Sequence, residues 1–162
     1  VRFVESPPGE GGGCSELDGV RLTGGMTLLS PARPVMTCRQ ALAYALWDRQ
    51  TLRPAAREVL GEPLARVDHM GTYACRNMYG RAGGPRSQHA FANALDVGGF
   101  TTASGRKLRV LNQFGVQDDR GVFLRRARDG ACKAFHMVLS PDYNAAHKDH
   151  LHLDSGFYRR CD

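Results

Sequence analysis

The sequence contains no apolar run long enough to cross a membrane. A transmembrane helix needs about 20 consecutive apolar residues, and no such stretch occurs within the 162 residues. A secretory leader, with a charged and then an apolar part, is also missing. Because the sequence starts at Val1 rather than at methionine, a leader could have been removed, and its absence excludes nothing. We expect a protein without a transmembrane segment.

The five cysteines include no Cys-x-x-Cys pair, so a structural zinc site built from cysteines is not expected. Widely separated cysteines are instead typical of disulfides, which persist in the periplasm or outside the cell. We therefore expect a periplasmic or secreted protein with two disulfides and one free thiol among Cys14, Cys38, Cys75, Cys132 and Cys161. The alternative is a cytosolic protein with five reduced cysteines. Sequence does not rank the pairings, and Cys14 with Cys38 is our guess for one of them.

The basic residues show neither the clustering nor the alternation with aromatic residues that is typical of nucleic-acid binding. Lysine and arginine nonetheless total 22 against 16 acidic residues, which gives a net charge of +6 and a pI near 9.4. Such an excess favours an anionic partner: a nucleic acid, a lipid surface or an acidic polymer such as cell wall. We expect no nucleic-acid partner.

The length fits one domain and is short for two. Pro7, Pro8 and the glycines at 11–13 prevent a helix or a central strand, so residues 1–13 are predicted to form a flexible N-terminal arm. Residues 14–162 then form the folded domain, in which no internal repeat is visible. We expect this single domain to act as a monomer.

Hydrophobic patterns predict helices and strands in an order that fits an α+β fold. Thr37 and Gln40 resemble a capping box before the first helix. The predicted elements are a helix over 38–50, a short helix over 54–60, two strands within 64–78 that turn at Gly71, a strand over 91–97 ended by Gly98 and Gly99, a strand over 107–111, and a helix capped by Asp119 that runs toward Phe135. We expect a central antiparallel sheet flanked by helices.

The histidines are concentrated rather than scattered, because four of the six fall in two short segments. Along a strand, successive side chains point to opposite faces. A strand near the end of the chain would therefore direct His150, His152 and Asp154 to one face, and Leu151 and Leu153 to the other. An isolated His-x-His of this kind is more typical of an edge strand that faces water.

A second segment supplies further groups of the same kind. His89 and Asp96 would each be commonplace loop residues if they stood alone. Joined to the His-x-His motif, they supply two imidazoles and a carboxylate, a set that suits Zn²⁺ and leaves its fourth position for water. Bound metal would lower the pKa of that water from about 15.7 toward 7, which makes hydroxide available for attack on a carbonyl. The sequence therefore predicts a catalytic zinc site.

These motifs resemble two related groups of proteins. Ser87-x-His89-x-x-Ala92-x-Ala94-x-Asp96 resembles the Ser-x-His-x-x-Gly-x-Ala-x-Asp signature of the LAS group of D-alanyl-D-alanine zinc metallopeptidases, and the terminal His-x-His resembles its last ligand motif. A closer resemblance, to the bacterial extensin-like C-terminal domain family, is carried by Tyr73-x-Cys75-Arg76, Ala94-Leu95-Asp96, Val138-Leu139-Ser140-Pro141 and His147-x-Asp149-His150-x-His152-x-Asp154. The implied fold is that of the LAS peptidases.

The resemblance implies a role for each residue of the metal site. Zinc would be held by His89, Asp96 and His152. His150 would stand beside the metal as the base, or as a stabiliser of the tetrahedral intermediate. Asp149 is the alternative base, because another LAS branch uses a glutamate at the corresponding position.

The resemblance also implies how the substrate is held. Arg76 would approach the substrate carbonyl and offset the charge that develops on its oxygen; the alternative is a strand arginine in a surface ion pair. Ser87 and His147 would bind or orient the substrate, and Asp154 would accept a hydrogen bond from a ligand imidazole. Ala92 departs from the signature, which has glycine there. If that position requires a positive φ, the alanine is strained.

The favoured function is a zinc-dependent peptidoglycan peptidase, an endopeptidase that cleaves D,D or L,D cross-links with a zinc-activated water. Peptidoglycan stem peptides or cross-links follow from the resemblance, since the ligand spacing alone indicates a hydrolase without naming the amide. One alternative is a carboxypeptidase that releases D-alanine. Others are a non-catalytic, zinc-containing wall-binding module and a basic scaffold that binds no metal.

Overall fold

A seven-stranded sheet forms the centre of the fold. The structure is a computed structural model, which describes residues 1–6, 14 and 19–162. Its strands are β1 (Arg2–Glu5), β2 (Gly19–Gly24), β3 (Leu28–Ser30), β4 (Val35–Thr37), β5 (Leu64–Gly71), β6 (Ala94–Thr102), β7 (Lys107–Arg109), β8 (Met137–Leu139), β9 (Leu151–Asp154) and β10 (Arg160–Cys161). Its α-helices are α1 (Cys38–Trp47), α2 (Arg53–Ala55), α3 (Val110–Gln113) and α4 (Asp119–Ala134).

The large sheet has the strand order β10-β8-β9-β6-β5-β3, and β7 also pairs with β6. The inner strands β8, β9, β6 and β5 pair antiparallel, whereas the outer strands β10 and β3 pair in parallel with their neighbours. Strands β1, β2 and β4 form a separate antiparallel sheet. The predicted α+β class, with an antiparallel centre, is confirmed.

The first helical segment is longer than the sequence predicts. Helix α1 begins after Thr37, whose Oγ1 accepts a hydrogen bond from the Gln40 backbone N–H at 3.1 Å, as expected of a cap. After α1 the chain continues through π-helical turns and α2 as far as Leu60, and Gly61 ends it with a φ of +74°. The prediction of two separate helices is therefore wrong. Pro54 has no N–H to donate, and the wider turns on either side accommodate it without a break.

Trp47 lies at the centre of the hydrophobic core. Its ring packs edge-on against Phe100 and Phe135, with ring centroids 6.1 and 5.9 Å away. Its Nε1–H donates to the carbonyl oxygen of Ala127 on α4 at 2.8 Å, which satisfies the only polar atom of this buried side chain. The α4 cap is Asp118, one residue before the predicted one, because its carboxylate accepts the free N–H groups of the first turn.

Several strands differ from the predictions. Strand β6 continues through Gly98 and Gly99 because a Cβ at Gly99 would lie 2.1 Å from the Leu108 carbonyl oxygen; here glycine allows β7 to approach. Residues 72–76 form no strand, contrary to prediction, because Ala74 donates its N–H to a loop carbonyl instead. The four short strands before α1 were not predicted.

Part of the segment predicted as an arm is paired. Strand β1 runs antiparallel to β2 with all four of its residues exposed. Ser6 extends this pairing by donating its N–H to the Gly19 carbonyl oxygen at 2.8 Å. Residues 7–13 lie outside the described residues, so the extent of the arm stays a prediction.

Two disulfides join distant parts of the chain. Cys14 pairs with Cys75 across a separation of 61 residues, and Cys132 pairs with Cys161 across 29. Cys38 is the exposed free thiol. Two disulfides and one free cysteine are thus confirmed, but the guessed Cys14–Cys38 pair is wrong, because Cys38 starts α1 while Cys14 lies against the loop of Cys75. The disulfides are compatible with a periplasmic or extracellular protein.

None of the helices in the part of the chain that the structure describes combines the length and the apolar character that a membrane span requires.

The Cys132–Cys161 disulfide ties β10 to α4, and its removal should destabilise the fold. We expect Cys132→Ser/Cys161→Ser to lower the free energy of unfolding by about 2 to 4 kcal/mol, because the unfolded chain regains the freedom that the loop closure removes. Urea denaturation measures this loss. The control Cys38→Ser should stay within about 0.5 kcal/mol of the native protein. Equal stability of the double variant and the control would contradict the expectation.

Candidate metal centre

Two neighbouring strands place Asp96 and His152 directly opposite each other. Strands β6 and β9 pair antiparallel with these two residues in register, although 56 positions separate them in the sequence. Leu151 and Leu153 are fully buried in the core, so His152 points to the other face, as the alternation predicts. Its Nδ1 lies 2.8 Å from Asp96 Oδ1.

His89 reaches the same point from a 3-10 turn at Gln88–Phe91. Ser87 caps this turn, because its Oγ accepts a hydrogen bond from the His89 backbone N–H at 3.3 Å. The His89 side chain is buried, and its Nε2 lies 3.0 Å from Asp96 Oδ2. The ligand atoms of His89, Asp96 and His152 all lie within 4.8 Å of one another, so these three residues could hold a metal ion.

The chain leaves the His89 turn through a strained alanine. Ala92 has a φ of +52°, in the left-handed region that costs a non-glycine residue about 1 to 2 kcal/mol. Its N–H donates to the His89 carbonyl oxygen at 3.2 Å, and its own carbonyl accepts the Thr37 N–H at 2.9 Å. The position therefore does adopt the conformation that glycine favours. The surrounding hydrogen bonds hold the alanine there and keep His89 aligned with Asp96.

The hydrogen bonds of His89 leave a place for a cation beside Asp96. His89 Nδ1 lies 3.2 Å from the Thr72 carbonyl oxygen, and because a carbonyl only accepts, Nδ1 carries the proton. In neutral His89, Nε2 then presents a lone pair to the Asp96 carboxylate, which is also an acceptor. Among the described residues this buried Nε2 has no hydrogen-bond partner. Two acceptors that face each other at 3.0 Å are the arrangement that a metal ion satisfies.

His152 faces Asp96 in a similar way. Its Nε2 lies 3.2 Å from Asp154 Oδ2, which accepts the N–H. Burial by itself lowers the pKa of His152, but the hydrogen bonds to Asp154 and Asp96 outweigh burial and raise that pKa to about 9. Burial also raises the pKa of Asp96, but the hydrogen bond from His152 holds it well below its usual value. Without a metal ion, a proton on His152 thus balances the Asp96 carboxylate, and a divalent ion would displace that proton.

His150 and Asp149, the two alternatives for a base, form one hydrogen-bonded pair. Asp149 Oδ1 accepts the Nδ1–H of His150 at 2.8 Å. In the neutral imidazole, His150 Nε2 then carries a lone pair, and it lies 3.7 Å from Asp96 Oδ1, beyond hydrogen-bond distance. The imidazole, rather than the carboxylate, is therefore the member of the pair that faces the candidate ligands.

His147 lies at the rim of the same cluster. Its ring centroid is 5.2 Å from that of His150 and 6.0 Å from that of His152, and its Nδ1 donates to Asn144 Oδ1 at 2.8 Å. Burial, followed by the charges on His150 and His152, lowers the pKa of His147 to about 4. At neutral pH its free Nε2 is an acceptor.

The remaining predicted residues lie on the loop before His89. Arg76 lines the cavity over the ligands, and within the described residues its guanidinium makes one long contact, 3.5 Å to the Asn77 carbonyl oxygen. The ion pair that was the alternative interpretation is not found in this part of the chain. Ser87 is buried and donates its N–H to the Arg76 carbonyl oxygen at 3.2 Å. The Ser87 side chain therefore positions the His89 turn.

Most of these side chains line one cavity of about 580 Å³, namely those of Arg76, Ser87, His89, Asp96, His147, His150, His152 and Asp154. Sequence reasoning missed its exposed rim, which consists of Met78, Tyr79, Phe157 and Tyr158. It also missed the two residues that fix the imidazole rings, Thr72 for His89 and Asn144 for His147. The adjacent aromatic residues Phe157 and Tyr158, shortly after the histidine motif, could have indicated the rim from sequence alone. The hydrogen-bond partners of the imidazole rings can be identified only in the folded chain.

Asp154 holds two groups at once, and its loss should destabilise the protein even without metal. Its Oδ2 accepts from His152 and its Oδ1 accepts the Gly156 N–H at 2.8 Å. We expect Asp154→Ala to lower the free energy of unfolding by about 1 to 3 kcal/mol, because two buried donors lose their acceptor. Urea denaturation in the presence of a chelator measures it. The exposed control Asp129→Ala should change stability by less than about 0.5 kcal/mol, and the same value for both variants would contradict the role of Asp154.

Comparison with known proteins identifies the family. A family model described as the extensin-like protein C-terminus matches residues 1–162, which is the whole chain. The comparisons with curated proteins and with solved structures each gave no match. The resemblance drawn from the Tyr73, Asp96 and His150 motifs is confirmed at the level of this family. The chain therefore belongs to the extensin-like protein C-terminus family.

Proposed function

We propose that the protein is a zinc-dependent peptidase that hydrolyses peptide bonds in peptidoglycan. The observation that carries the proposal is the buried Nε2 of His89, which has no hydrogen-bond partner among the described residues and faces Asp96 at 3.0 Å, beside His152. Two imidazoles and one carboxylate form a donor set typical of catalytic zinc, which keeps a further position open. All three side chains belong to one chain, so a monomer suffices.

The hydrogen bonds made by the second ring nitrogens of His89 and His152 also support a zinc site. Metal-binding histidines usually donate their second ring N–H to a carbonyl or a carboxylate, which fixes the tautomer and the ring orientation. His89 does so to Thr72, and His152 does so to Asp154. When bound, zinc supplies Lewis-acid chemistry: it polarises a carbonyl and makes water acidic enough to ionise near neutral pH.

His150 is the proposed base. Its Nε2 is free to take a proton from the attacking water and to deliver it to the leaving amine. Asp149 accepts a hydrogen bond from the Nδ1–H of His150, which fixes the required tautomer and stabilises the imidazolium that forms. This assignment favours His150 over Asp149 as the group that moves the proton, and it gives Asp149 a positioning role.

Arg76 and His147 are proposed to contact the substrate. A guanidinium without an ion-pair partner in the described part of the chain can offset the charge that develops on the carbonyl oxygen. The free Nε2 of His147 can accept a backbone N–H of a bound peptide. Ser87 acts indirectly, because its hydroxyl is engaged in capping the His89 turn.

Peptidoglycan as the substrate is supported by the likeness of the Ser87 to Asp96 segment to the LAS signature and by the net charge of +6, which suits an anionic wall. A LAS-like fold and a place in the periplasm or outside the cell belong to the same proposal. The paired Asp149 and His150 favour an enzyme over a wall-binding module, because a structural zinc site has no use for an oriented base.

Cleavage of defined muropeptides tests the proposal. With zinc the native protein should cleave a muropeptide, and a chelator should stop the reaction. His152→Ala should lose both zinc and activity. His150→Ala should keep zinc and lose activity by about 10² to 10⁴-fold, which is the usual contribution of a positioned base. The readouts are product formation by chromatography and zinc content by elemental analysis.

The control for both variants is His69→Gln, a histidine that bonds the Pro31 carbonyl outside the cluster; it should keep zinc and activity. Zinc retention by the native protein with no product from any muropeptide would favour the wall-binding module. No stoichiometric zinc and no uptake on addition would favour the scaffold. Release of D-alanine alone would identify a carboxypeptidase.

Arg76 should matter for the rate more than for binding. We expect Arg76→Ala to lower kcat by about 10² to 10³-fold with a smaller change in KM, as for the loss of one oxyanion donor. Arg76→Lys should restore part of the loss, because it keeps the charge. The exposed control Arg57→Ala should leave both constants unchanged. An Arg76→Ala variant with a raised KM and a native kcat would reassign Arg76 to substrate binding.

A further inference from the structure

Two aromatic side chains stand exposed at the mouth of the catalytic cavity. Phe157 is 92% exposed and Tyr158 is 80% exposed, although both follow directly on the buried residues that end β9. Adjacent exposed aromatic rings at the rim of a cavity are typical of recognition surfaces.

The backbone beneath the aromatic pair is held at every polar group. The Gly156 N–H donates to Asp154 Oδ1 at 2.8 Å, and the Gly156 carbonyl accepts from His136 Nδ1 at 2.5 Å. The Ser155 N–H donates to the Asn93 carbonyl oxygen at 3.2 Å. The Ser155 carbonyl accepts from Arg39 Nη1 at 3.3 Å. Phe157 therefore projects from a fixed support, and this support shares Asp154 with the ligand His152.

A second cavity of about 410 Å³ lies on the other side of Phe157. The two cavities share Gln88 and Phe157 as lining residues, so these form a ridge between them. A Cβ at Gly156 would lie 2.9 Å from Gln88 Cδ, which shows how closely the two sides of the ridge approach. The second cavity is otherwise lined by Thr37, Cys38, Arg39, Phe91 and Asn93. It therefore adjoins the catalytic cavity across this ridge.

The second cavity has a positive end. The guanidinium of Arg39 bonds a carbonyl oxygen, and in the described part of the chain it has no carboxylate partner. A cation of this kind at the end of a mostly uncharged cavity complements a carboxylate on a ligand. Arg76 lines the catalytic cavity.

We propose that the substrate is a branched peptide, in which two stems are joined through a side chain, and that it lies across the Gln88–Phe157 ridge. One arm occupies the catalytic cavity, and the other occupies the second cavity with a carboxylate at Arg39. This inference rests on the proposed function and narrows it: cross-linked peptides are bound at two places, whereas a single stem fills only the catalytic cavity. The enzyme is then an endopeptidase that selects cross-links.

Cys38 offers a direct probe of the second cavity, because it lines that cavity and is the free cysteine. In the His150→Ala protein, which should not consume the ligand, a cross-linked muropeptide dimer at ten times its Kd should slow the reaction of Cys38 with a thiol reagent about tenfold. A single-stem muropeptide at the same saturation should leave the rate unchanged. Equal protection by both peptides, or by neither, would overturn the inference.

Substitutions supply an independent measurement. We expect Arg39→Gln and Phe157→Ala each to lower the ratio of kcat/KM for the dimer to kcat/KM for the single stem by about tenfold, which corresponds to about 1.4 kcal/mol. The control is Arg49→Gln, an exposed arginine after α1 that lines neither cavity. An unchanged ratio in both variants, with cleavage by the native protein intact, would overturn the inference and leave the proposed function standing. Protection of Cys38 by the dimer, with no cleavage of any peptide by the native protein, would overturn the proposed function alone.

Discussion

The pairing of β6 with β9 is the constraint on which the site depends. It brings Asp96 and His152 together from positions 56 residues apart, and His152 Nδ1 lies 2.8 Å from Asp96 Oδ1. The hydrophobic core enforces this register, because Leu151 and Leu153 must be buried and a slip of one residue would turn them to water. The packing of Leu151 and Leu153 in the core therefore fixes the position of His152 relative to Asp96. The face of β9 that carries His152 is therefore held in register with β6.

The proposed ligand His89 comes from outside the sheet, and its position depends on local strain. Ala92 is kept at a φ of +52° by hydrogen bonds from two directions, and this turn directs the His89 ring over Asp96. Strain of this kind persists only where the surrounding structure determines the backbone. Asp154 connects the other side of the site to the rim, since one carboxylate holds His152 and the Gly156 support of Phe157. A change at Gly156 or Phe157 is therefore expected to alter the position of the His152 ring.

The sequence indicated which side chains converge more accurately than it indicated the bounds of the helices and strands. Histidines within a strand pattern, with His89 and Asp96 at a recognisable spacing, were sufficient to name the residues that converge. The helix break at Pro54 was wrong because local preference was overridden by packing of the flanking turns in the core. The predicted end of the strand at Gly98 and Gly99 was wrong because Gly99 allows two strands to approach closely. The sequence does not distinguish this use of glycine from a turn. The disulfide partners of Cys14 and Cys161 could not be predicted, because pairing depends on which loops the fold brings together.

The central claim is that His89, Asp96 and His152 bind one zinc ion, and anomalous diffraction at the zinc edge from crystals grown with zinc tests it most directly. We expect a single strong peak, about 2.0 to 2.2 Å from His89 Nε2, an Asp96 carboxylate oxygen and His152 Nδ1. A zinc peak elsewhere, or none at saturating zinc while His152 still bonds Asp96 as an imidazolium, would contradict it.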